Sequence, residues 1–175
     1  MHNSVHHYYA SNVGVFMGWF KLLIAAGALY LAQSYYLLTP SHIESFLMDH
    51  QVLAMNDPVA ACDDYSDDIE VMIHHTTPDG RWEVEGGKNE LCGYMKQSQA
   101  ALVVTQASAS GHFENMDVST SFPWQSARAN YDEISNVTMG ALGSISSKTH
   151  DTLKIERTLT GLEIVSITST GGANR

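Results

Sequence analysis

Hydrophobic residues follow three different patterns along the chain, and each pattern predicts a different kind of element. Residues 22–38 form an apolar run in which only Gln33 and Ser34 are strongly polar. Residues 43–54 place apolar side chains at the i, i+3, i+4 and i+7 spacing of an amphipathic helix. From Gly111 onward, apolar and polar residues alternate with a period of two, which is typical of β-strands. The pattern therefore predicts an apolar helix followed by a domain of helices and strands.

The apolar run predicts a single transmembrane helix over residues 13–39. As an α-helix, residues 22–38 extend roughly 26 Å, and the apolar residues before them carry the helix past a hydrocarbon core of about 30 Å. A lysine near the start can extend its ammonium group toward the lipid headgroups. Aromatic residues near both ends match the aromatic belts of membrane helices. The residues predicted to anchor the helix are Trp19, Lys21, Leu22 and Leu38.

Two other interpretations of this segment remain open. The tripeptide Ala32-Gln33-Ser34 resembles the cleavage site of a signal peptide, and a buried core helix has a similar composition. If the helix is retained, Lys21 before it and the long absence of Lys or Arg after it orient it by the positive-inside rule. We then expect residues 1–12 to be a flexible cytoplasmic tail. The main domain is expected on the periplasmic side of a bacterial inner membrane.

Residues 41–171 are predicted to form one α+β domain. Ser41 and Glu44 have the spacing of a capping box at the start of the amphipathic helix. Segregated helices and antiparallel strands are typical of α+β folds, and a sheet that curves around the helices forms a cone with a pocket. Residues 172–175 carry no large apolar side chain and are predicted to fray. The further predicted elements are a short helix at Asp57-Pro58, strands over 69–75 and 81–84, a helix over 90–106, and three or four long antiparallel strands.

Composition and charge narrow the range of functions. The chain has 175 residues, of which 44% are hydrophobic, enough for one ordinary domain with a short appendage. Nine Lys+Arg stand against nineteen Asp+Glu, the net charge is -10, and every acidic residue lies from Glu44 onward. So acidic a domain repels phosphate backbones, and nucleic-acid binding is therefore not expected.

The two cysteines of the chain, Cys62 and Cys92, have two interpretations. In an oxidising compartment they can pair, and closing a loop of about 31 residues is worth roughly 3–4 kcal/mol in the chain-entropy model. Alternatively, both are small buried apolar side chains. Because the sequence has no CxxC spacing, neither a zinc site nor a thioredoxin-like redox site is expected.

The order of elements resembles the nuclear transport factor 2-like superfamily, which includes SnoaL-like cyclases and ketosteroid isomerase. The resemblance rests on three segments, HIESFLMDHQVLAMND, YSDDIEVMI and the C-terminal hairpin TLKIERTLTGLEIVSITSTG. It covers residues 41–171, although Leu162 stands where the family usually has an aromatic residue. The resemblance implies a cone-shaped domain. Since the family contains enzymes, ligand binders and dimerisation modules, the fold alone does not settle the function.

A site of the ketosteroid isomerase type needs a carboxylate base and a Tyr or acid donor inside the cone. The acidic segment around Asp68 equally fits a solvated loop, and the adjacent His74 and His75 must face opposite sides of a strand. His50 lies in the apolar stripe of a helix, where a core histidine is the simpler interpretation. No cofactor and no metal site are predicted, because no HExxH, P-loop or GxGxxG motif occurs. If the protein is an enzyme, the candidate catalytic residues are Tyr65, Asp68, His74 and Tyr94.

The predicted function is that of a non-catalytic, membrane-anchored accessory or assembly subunit of a larger membrane protein complex. The sequence has no strong catalytic motif, and tethering gives a domain a high effective concentration beside a membrane partner. Gly14 and Gly18 have the small-xxx-small spacing that lets membrane helices pack closely. The architecture is also similar to the family branch whose anchored periplasmic domains are scaffold subunits of type IV secretion channels. The expected partners are other subunits of the complex and the lipid bilayer, and a homodimer remains open.

The alternative is an anchored enzyme of the isomerase or hydratase kind, or a small-ligand binder, that uses the cone pocket. A secreted ligand binder released by signal cleavage is a third possibility. An open cone with convergent polar groups would favour the alternative, whereas a filled or shallow cone would favour docking.

Overall fold

The computed structural model describes residues 7–77, 80–140 and 143–174, with side-chain surroundings given from residue 19 to residue 173 within those ranges. The helices are α1 (His7–Leu37), α2 (Pro40–Asn56), α3 (Pro58–Ala61) and α4 (Lys88–Val104), and a 3₁₀ turn, Cys62–Asp64, follows α3. The strands are β1 (Tyr65–Thr77), β2 (Gly80–Gly86), β3 (Ser108–Thr120), β4 (Ser126–Thr138), β5 (Ser144–Arg157) and β6 (Leu162–Asn174). Helices packed on one curved sheet confirm the predicted α+β class.

The six strands form a mixed sheet in the order β2-β1-β6-β5-β4-β3. Strands β1 and β6 pair in parallel, and every other neighbouring pair in this sheet is antiparallel. The sequence predicts the antiparallel pairs but not the parallel one, because β1 and β6 come from opposite ends of the domain. A contact over so long a stretch of chain leaves no local pattern in the sequence.

The last strand runs to Asn174, although residues 172–175 are predicted to fray; residue 175 lies outside the described residues. Gly172 pairs with β1 on one side and with β5 on the other. A Cβ atom at this position would stand 2.8 Å from the carbonyl oxygen of Thr76, so a larger residue could not fit without a shift. Backbone pairing on both sides therefore holds the end of the chain without any large apolar side chain.

The hydrophobic core lies between the concave face of the sheet and the helices α2, α3 and α4. Helix α2 begins at Pro40 rather than at Ser41, because proline suits the first helical turn and Thr39 before it is extended. The apolar stripe of α2 buries Ile43 and Leu47 in one cluster with apolar residues of the sheet. The predicted amphipathic helix is thus present and faces the sheet.

A disulfide ties the helices together above the concave face. Cys62 in the 3₁₀ turn is bonded to Cys92 in α4, and their Cα atoms are 5.9 Å apart. The predicted pairing is therefore confirmed over the alternative of two unpaired cysteines, and both side chains are buried. Helix α4 begins at Lys88, two residues before the predicted start, and is capped at Gly87, whose backbone N–H donates to the Glu90 carboxylate at 2.9 Å.

Helix α1 exposes apolar side chains on every side. Its backbone is helical from His7, so residues 7–12 belong to the helix and not to the predicted flexible tail, whereas residues 1–6 lie outside the described residues. Successive helical residues point about 100° apart, and consecutive exposed apolar residues therefore leave no polar face. Exposed side chains around the helix are Trp19, Phe20, Leu22, Leu23, Ile24, Leu29 and Tyr36.

Leu38 does not act as the predicted membrane anchor, since it lies in the core of the domain and is only 2% exposed. Helix α1 ends at Leu37, and the chain turns there toward the sheet. Among the side chains that the structure describes, no single helix has both the length and the mean hydropathy of a membrane span. The segments Trp19–Leu37 and Pro40–Asn56 reach that criterion only as a pair, with a bend of 61° between them.

Arg157 at the end of β5 joins the last turns of α1 to the sheet. Its guanidinium donates to the carbonyl oxygen of Tyr30 at 3.1 Å, to Gln33 Oε1 at 3.0 Å and to the Ser34 hydroxyl. The guanidinium carbon also lies 4.0 Å from the centre of the Tyr30 ring, in a cation–π contact. Ser34 is fully buried by this contact, whereas residues 19–30 are exposed. The helix is thus held at its end, and residues 19–29 before the contact are exposed.

Candidate acid–base pocket

The concave face of the sheet and the helices α2 and α4 enclose a cavity of about 410 Å³. This volume lies within the usual range for small-molecule pockets. Much of the lining is apolar, from residues such as Leu47, Met95, Phe113, Leu153 and Ile167. Polar side chains from four different elements converge on the same space, and they are His50, Gln51, Tyr65, His75, Glu133 and Asp151. An apolar pocket with a few convergent polar groups is the usual form of a ligand site.

A chain of hydrogen bonds leads from solvent to the cavity through His50. Its Nδ1 atom lies 2.8 Å from Asp64 Oδ2, and its Nε2 atom lies 2.8 Å from the Tyr65 hydroxyl. When Asp64 is ionised, Nδ1–H donates to it, and Nε2 is left to accept from Tyr65 O–H. His50 and Tyr65 both line the cavity, and they are 9% and 5% exposed. Asp64 therefore fixes the tautomer of a buried histidine that can take a proton from a tyrosine at the cavity wall.

The pKa of the Tyr65 phenol is raised above its ordinary value, chiefly by burial and then by the negative charges of Asp64 and Glu133. Tyr65 is therefore neutral at physiological pH and acts as a hydrogen-bond donor. Met95 Sδ lies 3.6 Å from the same hydroxyl, on the side of α4. His50 Nε2, 2.8 Å away, is placed to receive the proton of the neutral phenol.

Two carboxyl groups, Glu133 on β4 and Asp151 on β5, face the cavity from neighbouring strands. In the strand register Glu133 lies opposite Thr149, so the two carboxyls are diagonal neighbours on one face. Gln51 Nε2 donates to Glu133 at 2.8 Å, and the Thr149 hydroxyl donates to Asp151 at 2.9 Å. Burial raises the pKa of both carboxyls, and the charge of Asp151 further raises the pKa of Glu133.

His75 and two aromatic pairs complete the walls. Burial lowers the pKa of His75, although the nearby Asp151 acts in the opposite direction. Ring centroids lie 5.3 Å apart for His75 and Trp82, and 4.7 Å apart for Trp82 and Tyr94. On the opposite side of the sheet's concave face, Phe113 and Tyr131 form a second pair at 4.7 Å. The cavity thus offers aromatic faces and buried acids in the same space.

The structure brings together two of the four predicted catalytic residues. Tyr65 and Tyr94 both line the cavity. Asp68 instead lies on the exposed side of β1, where it accepts from the Ser66 hydroxyl at 2.5 Å, as a solvated acidic segment would. His74 faces the convex side of the sheet, because its neighbour His75 takes the concave side, as the alternation in a strand requires.

On the convex side, His74 lies between two glutamates of β2. Its ring nitrogens are 3.5 Å from Glu83 and 3.8 Å from Glu85, and the donor atoms of all three lie within 4.8 Å of one another. Such a group has the ligand types that a divalent cation accepts, but it is half exposed and is separate from the cavity. The predicted packing glycines, Gly14 and Gly18, lie on the helical backbone of α1, and their surroundings are outside the described side chains.

Four of the polar residues in the cavity are not among the site residues predicted from the sequence. His50 reads as a core histidine because its i, i+3, i+4 neighbours are apolar, and its partners Asp64 and Tyr65 come from another element. Glu133 and Asp151 each fall on the buried face of an alternating strand, and that position is the one signal that could have found them. His75 is distinguishable from His74 only when the face of β1 that packs on the helices is known.

Comparison with known proteins supports the fold. No protein-family model matches the chain, and no curated protein matches it significantly in sequence. In structure, it is similar to an NTF2-like protein with a cystatin-like fold from Novosphingobium aromaticivorans, with 15% identity, a TM-score of 0.58, and coverage of 83% of this chain and 86% of that one. It is also similar to the beta subunit of benzoate 1,2-dioxygenase from Burkholderia mallei, with 13% identity, a TM-score of 0.59, and coverage of 77% and 89%. The chain therefore has the NTF2-like fold.

Proposed function

We propose that the cavity is the active site of an isomerase- or hydratase-type enzyme that moves a proton on a small, largely apolar substrate. The observation that carries this proposal is the Asp64–His50–Tyr65 chain, which ends at the wall of the cavity. A base oriented by a carboxylate and joined to a second proton carrier is a recurrent arrangement in acid–base catalysis. The open cone with convergent polar groups favours this alternative over pure docking.

The geometry supplies each part of a proton relay. As the Tyr65 oxygen accepts a proton from the substrate, its own proton passes to His50 Nε2, and Asp64 stabilises the resulting imidazolium. The reverse transfer returns the proton to a neighbouring atom of the substrate, or to a departing hydroxyl that leaves as water. Glu133 and Asp151 are placed to hold the polar group of the substrate. The apolar walls keep water away from the relay.

The proposal is tested by proton exchange, which needs no knowledge of the natural substrate. The full-length chain is incubated in D₂O with small cyclic and aryl ketones, with and without an amino group, and deuterium uptake beside the carbonyl is followed by NMR. We expect at least one compound to exchange with saturation, and Tyr65→Phe and His50→Gln to slow the exchange roughly 10²- to 10⁴-fold. His74→Gln on the convex face is the matched control and should exchange like the wild type. Equal exchange by wild type and Tyr65→Phe would rule out the relay.

A second candidate function is the membrane-anchored accessory subunit of a larger complex. It is supported by the exposed apolar surface around α1, where Leu22, Leu23 and Ile24 are 57–67% exposed in succession. Helices without a polar face are either buried or membrane-spanning, and an exposed apolar surface of this extent needs a covering. The disulfide is in keeping with an oxidising compartment. In this second candidate function, we propose that the domain lies in the periplasm, with the N-terminus in the cytoplasm and α1 in the bacterial inner membrane.

The two candidates are separated by extraction of native membranes in a mild detergent, followed by a native gel and mass spectrometry. An accessory subunit would migrate with a stoichiometric membrane complex. A membrane-anchored enzyme would migrate as a monomer or homodimer and retain exchange activity. Recovery in the soluble fraction, without detergent, would contradict the membrane-anchored subunit and leave the proposed active site standing.

A further inference from the structure

The cavity has an unusual balance of charge. Its lining contains two carboxyl groups and two histidines, and none of the lysines and arginines that the structure describes is part of it. The lysines with ionic partners lie elsewhere: Lys88 at the start of α4 pairs with Asp67 of β1, and Lys148 and Lys154 lie on the convex face. Buried acids in proteins are normally paired with a cation or a metal, and in this pocket His75 beside Asp151 is a basic neighbour while no described Lys or Arg takes that role.

The hydrogen bonds of the two carboxyls are too few to replace that partner. Glu133 accepts from the amide of Gln51, and Asp151 accepts from the hydroxyls of Thr149 and Ser169, all of them neutral donors. A carboxylate oxygen accepts more than one hydrogen bond, and each carboxyl therefore has capacity left for a ligand. A cation between the two strands would satisfy both groups and remove their mutual repulsion.

The aromatic walls suit the same kind of ligand. The rings of Trp82 and Tyr94 form one tilted pair in the lining, and those of Phe113 and Tyr131 form another. Aromatic faces attract cations through their quadrupole, most strongly where water is excluded. They also pack against flat rings, so the cavity can accept a ring and a positive group together.

We propose that the cavity binds a compact aromatic or alicyclic amine in its ammonium form, with the ammonium group between Glu133 and Asp151. This inference rests on the proposed pocket function and names the class of its ligand. The ring lies among the aromatic and aliphatic walls, and its reactive carbon or hydroxyl lies toward Tyr65. Carboxylates and phosphates of similar size are excluded by the two acids.

Binding of a cation must be linked to protons. The titratable side chains that face the two carboxyls are His50 from α2, Tyr65 and His75 from β1, Tyr94 from α4 and Tyr131 from β4. Strands β2, β3 and β6 contribute no titratable side chain to the lining. An ammonium ion binds the ionised carboxyls, so its affinity rises with pH until they are fully ionised, and protons are released on binding. A neutral ligand that accepts hydrogen bonds from the protonated acids shows the opposite pH dependence.

The test uses three probes of the same size and different charge: benzylamine, benzyl alcohol and benzoate. Each is titrated into the full-length chain in detergent, and the methyl signals of Met55 and Met95 in the cavity are followed by NMR, with Met72 on the convex face as the internal control. We expect benzylamine to bind about tenfold or more tightly than benzyl alcohol, and benzoate to bind weakest. The affinity for benzylamine should rise between about pH 5 and pH 8.

Isosteric variants assign the effect to the two acids. Glu133→Gln and Asp151→Asn should each weaken benzylamine binding about tenfold and leave benzyl alcohol within about twofold, because only the charge is removed. Glu85→Gln, on the convex face, should change neither affinity. Persistence of the full pH dependence in the double variant would transfer the effect to the histidines and overturn the assignment.

The outcomes separate the inference from the function on which it rests. If benzyl alcohol or benzoate binds at the cavity methyls and benzylamine does not, the amine inference is wrong and the pocket function stands. If benzylamine binds and Tyr65→Phe retains full proton exchange, the amine site stands and the relay is wrong. If no probe shifts Met55 or Met95, both the amine inference and the pocket function are contradicted.

Discussion

The concave and convex faces of the sheet carry the same kinds of side chain at adjacent positions, and the two sets have opposite properties. On β4, the carboxyl of Asp132 faces outward and that of Glu133 faces the cavity. Hydrogen bonds from His150, Asn115 and Lys148 lower the pKa of Asp132, whereas burial raises the pKa of Glu133. Both side chains are carboxyls, so residue type does not explain why their pKa values move in opposite directions. Access to water and to hydrogen-bonding or positive partners sets the direction of each pKa shift.

Two more adjacent pairs repeat the comparison. His74 lies between glutamates on the convex face, and His75 lies against Trp82 in the cavity. His150 contacts Asp132 on the convex face, and Asp151 faces the cavity. The charged groups named on the convex face thus lie in pairs, whereas among the described residues no Lys or Arg lines the cavity beside the two concave acids. Paired charges suit a solvated surface, whereas unpaired ones in a dry space suit ligand binding and proton transfer.

The largest expected difference in stability is between a new charge on the concave face of a strand and a new charge on the convex face of the same strand. Leu153→Asp on β5 introduces a charge at a position that is 4% exposed, and we expect it to lower the free energy of unfolding by about 4 kcal/mol. Ser146→Asp, on the exposed side of the same strand, should stay within about 0.5 kcal/mol. Urea unfolding followed by tryptophan fluorescence measures both. Equal losses would contradict the assignment of the two faces.

The second effect on stability concerns the helices that cover the concave face. Cys62→Ala/Cys92→Ala removes the tie between the 3₁₀ turn and α4, and we expect a loss of about 3 kcal/mol in the free energy of unfolding. Reduction of the wild type should lower its stability by a similar amount. Hydrogen exchange should increase most in α4. No change on reduction would show that the tie contributes nothing to stability.

The third prediction concerns how the carboxyls of Glu133 and Asp132 change the free energy of unfolding with pH, which they should do in opposite directions. A carboxyl whose pKa is raised by folding contributes least at high pH, because stability falls as the pH rises from the ordinary carboxyl range through the folded pKa. Glu133→Gln should therefore stabilise the protein by about 1 kcal/mol at pH 7 and have little effect well below the ordinary carboxyl pKa. Asp132→Asn should do the reverse, since its lowered pKa gives stability that is present at neutral pH and lost in acid. Unfolding curves across pH distinguish these signs.

The smallest expected effect is the acid sensitivity due to His75. Because burial lowers its pKa, the folded protein loses stability as the pH falls below the ordinary histidine value. His75→Gln should remove that loss, and we expect a gain of under about 1 kcal/mol near pH 5.5 relative to wild type. His74→Gln is the adjacent control on the convex face and should change stability at pH 7 by less than about 0.5 kcal/mol. An identical acid loss in wild type and His75→Gln would contradict the buried environment.

Much of the fold follows from local patterns, and the site follows from contacts that no local pattern contains. The stripe of α2 and the alternation of β4 are readable because each residue's face repeats with a fixed period. The same alternation places Glu133 beside Tyr131 on one face, but it does not say which face is covered by helices. The pairing of β1 with β6 and the hydrogen bond from His50 to Tyr65 join distant parts of the chain. Leu38 is a further case, because a leucine at the end of an apolar run is equally compatible with a membrane helix and with the core of a domain.

The most direct test of the account is a carboxyl ¹³C NMR titration of the full-length chain. Glu133, Asp151 and Asp132 are assigned through their Glu133→Gln, Asp151→Asn and Asp132→Asn variants. We expect Glu133 and Asp151 to titrate above the ordinary carboxyl range, Asp132 to titrate below it, and benzylamine to lower the pKa of the two concave carboxyls. Titration of all three in the ordinary range, with no response to benzylamine, would contradict the claim that the concave face is a dry acid–base pocket.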